Sequence, residues 1–140
     1  MGIFAPTGAA GYLAYASITS SVNTTSTSDV AISGLSINPI IPAGGRYVKI
    51  TAFGFNMYCI VSGQVSLYSG ATSAALTNLI GRVQCEPGSG NASPMIVMAV
   101  QQPSAGSIWY TLAYSTSNVA DAINIQSGAG YPTFILAEGI

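Results

Sequence analysis

Period-two alternation of apolar and polar residues, interrupted by glycine and proline, runs from Leu13 to the C-terminus. Successive side chains of a strand point to opposite faces, so this pattern marks half-buried strands. The runs are short: "LAYASIT" (13–19), "DVAISGLSI" (29–37), "RYVKITAFGFNMYCIV" (46–61), "QVSLYS" (64–69), "LIGRVQCE" (79–86), "MIVMAVQQ" (95–102), "SIWYTLAYS" (107–115), "NVADAINIQ" (118–126) and "YPTFILAE" (131–138). Between them lie "NPIIPAGG", "PGSGNASP" and "PSAG", where proline fixes φ and glycine supplies positive φ. "SSVNTTSTS" (20–28) reads as a polar loop or a weak edge strand. Helical periodicity is confined to one weak stretch, "SAALTNLIG" (73–81). About eight or nine strands with regular turns predict an all-β antiparallel sandwich or barrel.

The faces follow from the alternation. Val48, Ile50, Ala52 and Gly54 share one face, with Gly54 a candidate kink. Tyr47, Phe53 and Phe55 share the other, with Lys49 and Thr51 between them. Val65 with Leu67, and Ile123 with Ile125, are inward residues. Leu79, Val83 and Cys85 are set against Arg82, Gln84 and Glu86. Ile108, Tyr110, Leu112 and Tyr114 are set against Ser107, Trp109, Thr111 and Ala113. In 29–37 the apolar phase shifts at Gly34, which predicts a bulge. Two stretches are apolar on both faces, "RYVKITAFGF" and "MIVMAV". One sandwich core covers only one face of each.

The chain of 140 residues suits one domain with a real core. Residues 1–12, "MGIFAPTGAAGY", read as an extended arm, and 13–140 as the domain. Charged residues are 5% of the chain, against about 25% in an average soluble domain. Only Asp29, Arg46, Lys49, Arg82, Glu86, Asp121 and Glu138 carry charge. Three basic residues cannot form a nucleic-acid surface, and so neutral an exterior points to contact with other protein. No run is long and apolar enough for a membrane helix. Ala14-Tyr15-Ala16 has the small-residue form of a cleavage site, but no Lys or Arg precedes it and Pro6 breaks the run, so no secretory signal is expected.

Catalytic, cofactor and metal sites are not expected. Histidine is absent, which excludes a Ser–His–Asp triad. The two thiols, Cys59 and Cys85, cannot make a zinc site alone and are expected buried and free. The four acids lie far apart in sequence, near strand ends, and are expected to serve as structural ion links or solvated turn positions. "GSGNAS" lacks the third glycine and the helix of a dinucleotide loop. Aromatic residues remain: eight Tyr, four Phe and one Trp. Trp109 is either a sugar platform or, as preferred here, a subunit contact. The expected subunit-interface residues are Tyr47, Phe53, Phe55, Met95, Val97 and Trp109.

"LAYASITSSVNTT", "DVAISGLSINPIIPAGGRYVKITAFGF", "QQPSAGSIWYTLAYS" and "YPTFILAEGI" together resemble the small virion proteins of tailed phages of actinobacteria. The shared frame is Gly34-Leu35-Ser36, the turn and strand start from Gly44 to Arg46, the Pro103 to Gly106 hairpin, and the closing strand from Pro132 to Glu138. The resemblance implies a jelly-roll sandwich like that of the tumour-necrosis-factor and C1q class, assembled as a homotrimer. It implies a minor capsid protein that decorates the outside of the shell by binding the major capsid protein, assembled in the host cytoplasm. The expected shell-attachment residues are Ile3, Phe4 and Tyr12. The second reading is a tail or head-fibre module that recognises a host-surface glycan.

Overall fold

A computed structural model describes residues 11–44, 46–87 and 92–140. Its strands are β1 (Gly11–Ile18), β2 (Val22–Thr24), β3 (Val30–Ile37), β4 (Ile40–Ile41), β5 (Val48–Cys59), β6 (Gly63–Gly70), β7 (Asn78–Cys85), β8 (Ser93–Gln101), β9 (Gly106–Ser107), β10 (Trp109–Thr116), β11 (Ile123–Gln126) and β12 (Thr133–Gly139). No helix occurs among the described residues. The weak helical stretch at 73–81 is instead a turn that runs into β7, whose Leu79, Val83 and Cys85 pair with β6. Ile3 and Phe4 lie outside the described residues. Gly11 and Tyr12, at the end of the expected arm, pair with Gly139 and Glu138 as the start of β1.

Two sheets face each other. The larger runs β1-β12-β5-β11-β2, with β8 on the opposite side of β5. The long β5 is its spine. Val48 to Phe53 pair with β12, and Asn56 to Cys59 pair with β11. The smaller sheet runs β3-β10-β6-β7, and β4 and β9 form a separate ribbon. Pairing between named strands is antiparallel throughout. In chain order the long strands pass from the larger sheet (β1) to the smaller (β3), back to β5, across to β6 and β7, and then alternate through β8, β10 and β12. That winding is a jelly-roll β-sandwich.

The core lies between the sheets, as the alternation requires. Val48, Ile50 and Ala52 face Val65, Leu67, Tyr110 and Leu112, with Ile123, Ile125, Ile135 and Ala137 completing it. Met95 and Val97 belong to this core as well, which corrects their assignment to a subunit interface. Bulges keep the inward phase where the sequence breaks it. In β3, Ile32 to Leu35 stand opposite the single Leu112, and Gly34 takes a φ of 86°. This is the bulge that the phase shift predicts. A Cβ on Gly34 would also come within 2.8 Å of Ile18 Cγ2. A second bulge, between Gly54 and Met57, moves the inward set of β5 from Ala52 and Gly54 to Met57 and Cys59. A third, where Leu67 pairs with Gly81 but Tyr68 with Leu79, turns Leu79 outward, against the expected face.

Candidate functional site

The outer face of the larger sheet carries the feature that the core cannot absorb. The register aligns residues in rows across β8, β5, β12 and β1. One row is Val100, Lys49, Glu138 and Tyr12. The next is Met98, Thr51, Leu136 and Tyr15, and the third is Ile96, Phe53, Phe134 and Ser17. The residues that alternate with these, Val97, Ile50, Ala52, Ile135 and Ala137, are buried, so the rows point outward.

Aromatic rings run continuously across this face. Tyr15 stacks on Phe134 at 5.8 Å between centroids, and Phe134 lies 5.8 Å from Phe53. Phe53 meets Phe55 edge-on at 5.5 Å, and Phe55 meets Tyr131 edge-on at 6.0 Å. Tyr131 is held by its backbone bridge to Gly128, where a Cβ would strike the tyrosine ring at 2.8 Å. Such ring pairs add about 0.5–1.5 kcal/mol each beyond burial, and they fix the shape of the face before any partner arrives. Beside the rings, Ile96, Met98 and Val100 are 51%, 61% and 55% exposed. Continuous exposed apolar surfaces are characteristic of interaction sites. The charges on the rows, Lys49 and Glu138, pair with each other at 3.7 Å. The face therefore offers a charged partner no uncompensated charge.

Phe53 and Phe55 lie on this face as their alternation requires, and Tyr47 is exposed immediately before β5. Tyr12 is 70% exposed at the end of its row. On β8 the expected residues are replaced by their neighbours. Met95 and Val97 are 0% and 3% exposed, while Ile96, Met98 and Val100 face out. Both faces of this strand are apolar, so alternation alone gives no sign of which is inward. Trp109 is on β10, in the other sheet, and does not belong to the aromatic rows. Its parity on the strand is as expected; the sheet that holds the strand is set by long-range pairing.

The outer face of the smaller sheet is polar and organised by Asp29, immediately before β3. Asp29 Oδ2 accepts hydrogen bonds from the Tyr68 hydroxyl at 2.6 Å and Arg82 Nη2 at 3.1 Å. Oδ1 accepts from Ser115 Oγ at 2.7 Å and Gln64 Nε2 at 3.3 Å. Arg82 Nε donates to Ser66 Oγ at 2.8 Å. Burial raises the Asp29 pKa, but the hydrogen bonds from Tyr68, Ser115 and Gln64 outweigh it and hold the carboxyl below its ordinary value. The acid is a structural clamp, as one of the two expected roles has it. Glu138 is on the other sheet with Lys49, so these two carboxylates do not converge.

Cys59 and Cys85 are buried free thiols. Cys59 Sγ donates to the Cys85 carbonyl at 3.2 Å. Burial, and then the neighbouring Cys59, push the Cys85 thiol well above its ordinary value, so it is not an activated nucleophile. Among the described residues, no group of three or more His, Cys, Asp or Glu could hold a metal. A polar recess of about 280 Å³ is lined by Ser62, Gln64, Gln84, Ser115 and Ser117. Ser62 Oγ donates to Ser117 Oγ at 2.9 Å, and Ser115 Oγ is bound to Asp29.

No protein-family model matches the chain, and no curated protein matches it. Among solved structures it is similar to the N-terminal CBM22-1–GH10 modules of Clostridium thermocellum endo-1,4-beta-D-xylanase 10B, complexed with xylohexaose. The TM-score is 0.39 at 13% identity, over 87% of this chain and 26% of the xylanase chain. The chain thus spans about a quarter of that protein's length. A likeness this loose bears on neither ligand nor partner.

Proposed function

We propose that the protein is a non-enzymatic virion structural protein, a homotrimer that decorates the outside of a phage capsid by binding its major capsid protein. The observation that carries the reading is the outer face of the larger sheet. Its rings and the exposed Ile96, Met98 and Val100 are more apolar surface than one subunit covers. Its charges are already paired, which favours a partner as neutral and apolar as itself. A sister chain meets that requirement, and obligate interfaces between like chains are large and hydrophobic. Burial at about 25 cal/mol per Å² makes such assembly favourable before its entropy cost. Three copies meeting on this face would leave the polar sheet outermost. Decoration then stabilises the shell by mass action, since the trimer binds only the assembled lattice. Tyr12 lies on β1, the edge strand of the assembly sheet, and residues 1–12 serve as the attachment element.

Two neighbouring methionines on β8 test the assembly. Met98→Asp places a charge on the outer face and is expected to give a folded single chain. Met95→Asp buries a charge in the core and is expected to unfold the chain. Met98→Asp retaining the wild-type mass in light scattering would refute the face as the interface. Shell attachment is tested by deleting residues 2–11. A folded trimer that no longer binds purified shells is expected, and retained binding would refute the arm's role.

The glycan-recognition reading is favoured by a different observation, the place of Trp109 on the sheet opposite the aromatic rows. Labelling the protein in intact particles separates the two readings: signal on the head supports decoration, and signal confined to the tail supports a fibre module.

A further inference from the structure

A groove of about 340 Å³ runs beside Trp109 on the outside of the smaller sheet. Its lining includes Ser33, Gly34, Ser36, Ser73, Ala74 and Trp109. Both walls have structural causes. On one side β3 bows out of the ladder, because Ile32 to Leu35 stand opposite Leu112 alone. Gly34 makes the bulge with its φ of 86°. On the other side the loop after β6 is tied down across the sheet. Thr111 Oγ1 donates to the Ser73 carbonyl at 3.1 Å, and Ala75 N donates to the Thr72 carbonyl at 3.2 Å. Gly70, the register partner of Trp109, lets this loop approach, since a Cβ there would meet the Ala75 carbonyl oxygen at 2.6 Å.

We infer that this groove is a binding site for a neutral saccharide. An aromatic ring suits the C–H face of a sugar, and serine hydroxyls suit its hydroxyl groups, the mix of apolar surface and few polar groups that small-molecule sites share. No lining residue is charged, so an acidic sugar finds no cation to bind it. The volume is near the low end of the range of about 300–1,000 Å³ for such sites, which fits a short segment of a glycan chain. The inference deepens the glycan-recognition reading and rests on it for a biological role. The groove is built within one chain and does not need the trimer.

Trp109 is the chain's only tryptophan, so its emission reports on the site directly. The experiment titrates purified protein with neutral oligosaccharides of glucose, galactose and mannose, and with a sialylated oligosaccharide for comparison. A saturable change in emission with at least one neutral saccharide is expected. Ala74→Phe, an exposed loop position, fills the groove and is expected to weaken that binding at least about tenfold at unchanged melting temperature. Trp109→Ala removes the platform, and binding followed by calorimetry is expected to vanish. The inference is overturned if no neutral saccharide responds up to about 10 mM, if only the sialylated one does, or if Ala74→Phe binds as the wild type does. Light scattering on the same samples reads assembly separately, so a protein that trimerises but ignores saccharides sinks the groove and leaves the trimer standing.

Discussion

Replacing Asp29 should cost this fold more than any other single surface-sheet change. The carboxylate joins the start of β3 to side chains of β6, β7 and β10 through Gln64, Tyr68, Arg82 and Ser115. Its side chain is 9% exposed and that of Arg82 34%. Hydrogen bonds to a charged acceptor contribute about 1.5–3 kcal/mol each when measured singly, but those sharing one carboxylate are not additive. Solvent reaches the Arg82 side, so the ion pair itself adds little. Removing the acceptor leaves Ser115, which is 3% exposed, without its partner. Asp29→Ala should therefore destabilise by about 2–4 kcal/mol. Asp29→Asn keeps one acceptor oxygen but turns an amide toward two donors, and should lose about 2–3 kcal/mol. Both are large against a total of about 5–15 kcal/mol. Urea unfolding in the Met98→Asp background reads the subunit alone, because oligomer stability depends on concentration. The acid dependence gives a second signature. The folded carboxyl titrates below its ordinary 3.8, so its contribution is complete above that value and is lost as pH falls through the folded value. Asp29→Asn should flatten this acid limb. A loss under about 1 kcal/mol in both variants, with the acid limb unchanged, would refute the clamp.

Gly63 lies where a Cβ would come within 2.9 Å of the Ser115 carbonyl oxygen and 3.0 Å of Ile123 Cδ1. Backbone cannot yield easily, so Gly63→Ala should destabilise by about 1–3 kcal/mol in the same urea assay. The Tyr110 hydroxyl is buried without a hydrogen-bond partner among the described residues, and burial pushes its pKa up to about 12. Tyr110→Phe should be neutral or stabilising by up to about 2 kcal/mol. The sign with pH follows from the raised value. The stability present below the ordinary 10.0 is lost as pH rises through about 12, so Tyr110→Phe should reduce the alkaline loss seen in thermal melts above pH 10.

Strand identity was legible because the alternation is local, and Gly34 announced its bulge by a shift of phase that the structure reproduces. On β5, Lys49 and Thr51 mark the outer face, and Phe53 and Phe55 follow them onto it or beside it. On β8 the signal vanishes: six apolar residues from Met95 to Val100 give both faces the same character. Pairing with β5 chooses between them, setting Val97 beside the inward Ala52. Leu79 misleads for another reason: Ile80, beside Gly81, is the extra residue opposite the Leu67–Tyr68 step and inverts the direction of Leu79, although the spacing of Leu79, Val83 and Cys85 shows no shift of phase. Trp109 and Phe53 looked like parts of one surface because nothing local tells which sheet a strand joins. The Asp29 clamp is the extreme case. Its members come from positions 29, 64, 66, 68, 82 and 115, each an unremarkable polar residue until the sheet aligns them.

Sedimentation equilibrium of the purified chain, wild type beside Met98→Asp, tests the central claim most directly. The account predicts three chain masses for the wild type, persisting on dilution to submicromolar concentration, and one chain mass for the variant with an unchanged circular dichroism spectrum. A wild type that sediments as a single chain across the whole range would contradict it.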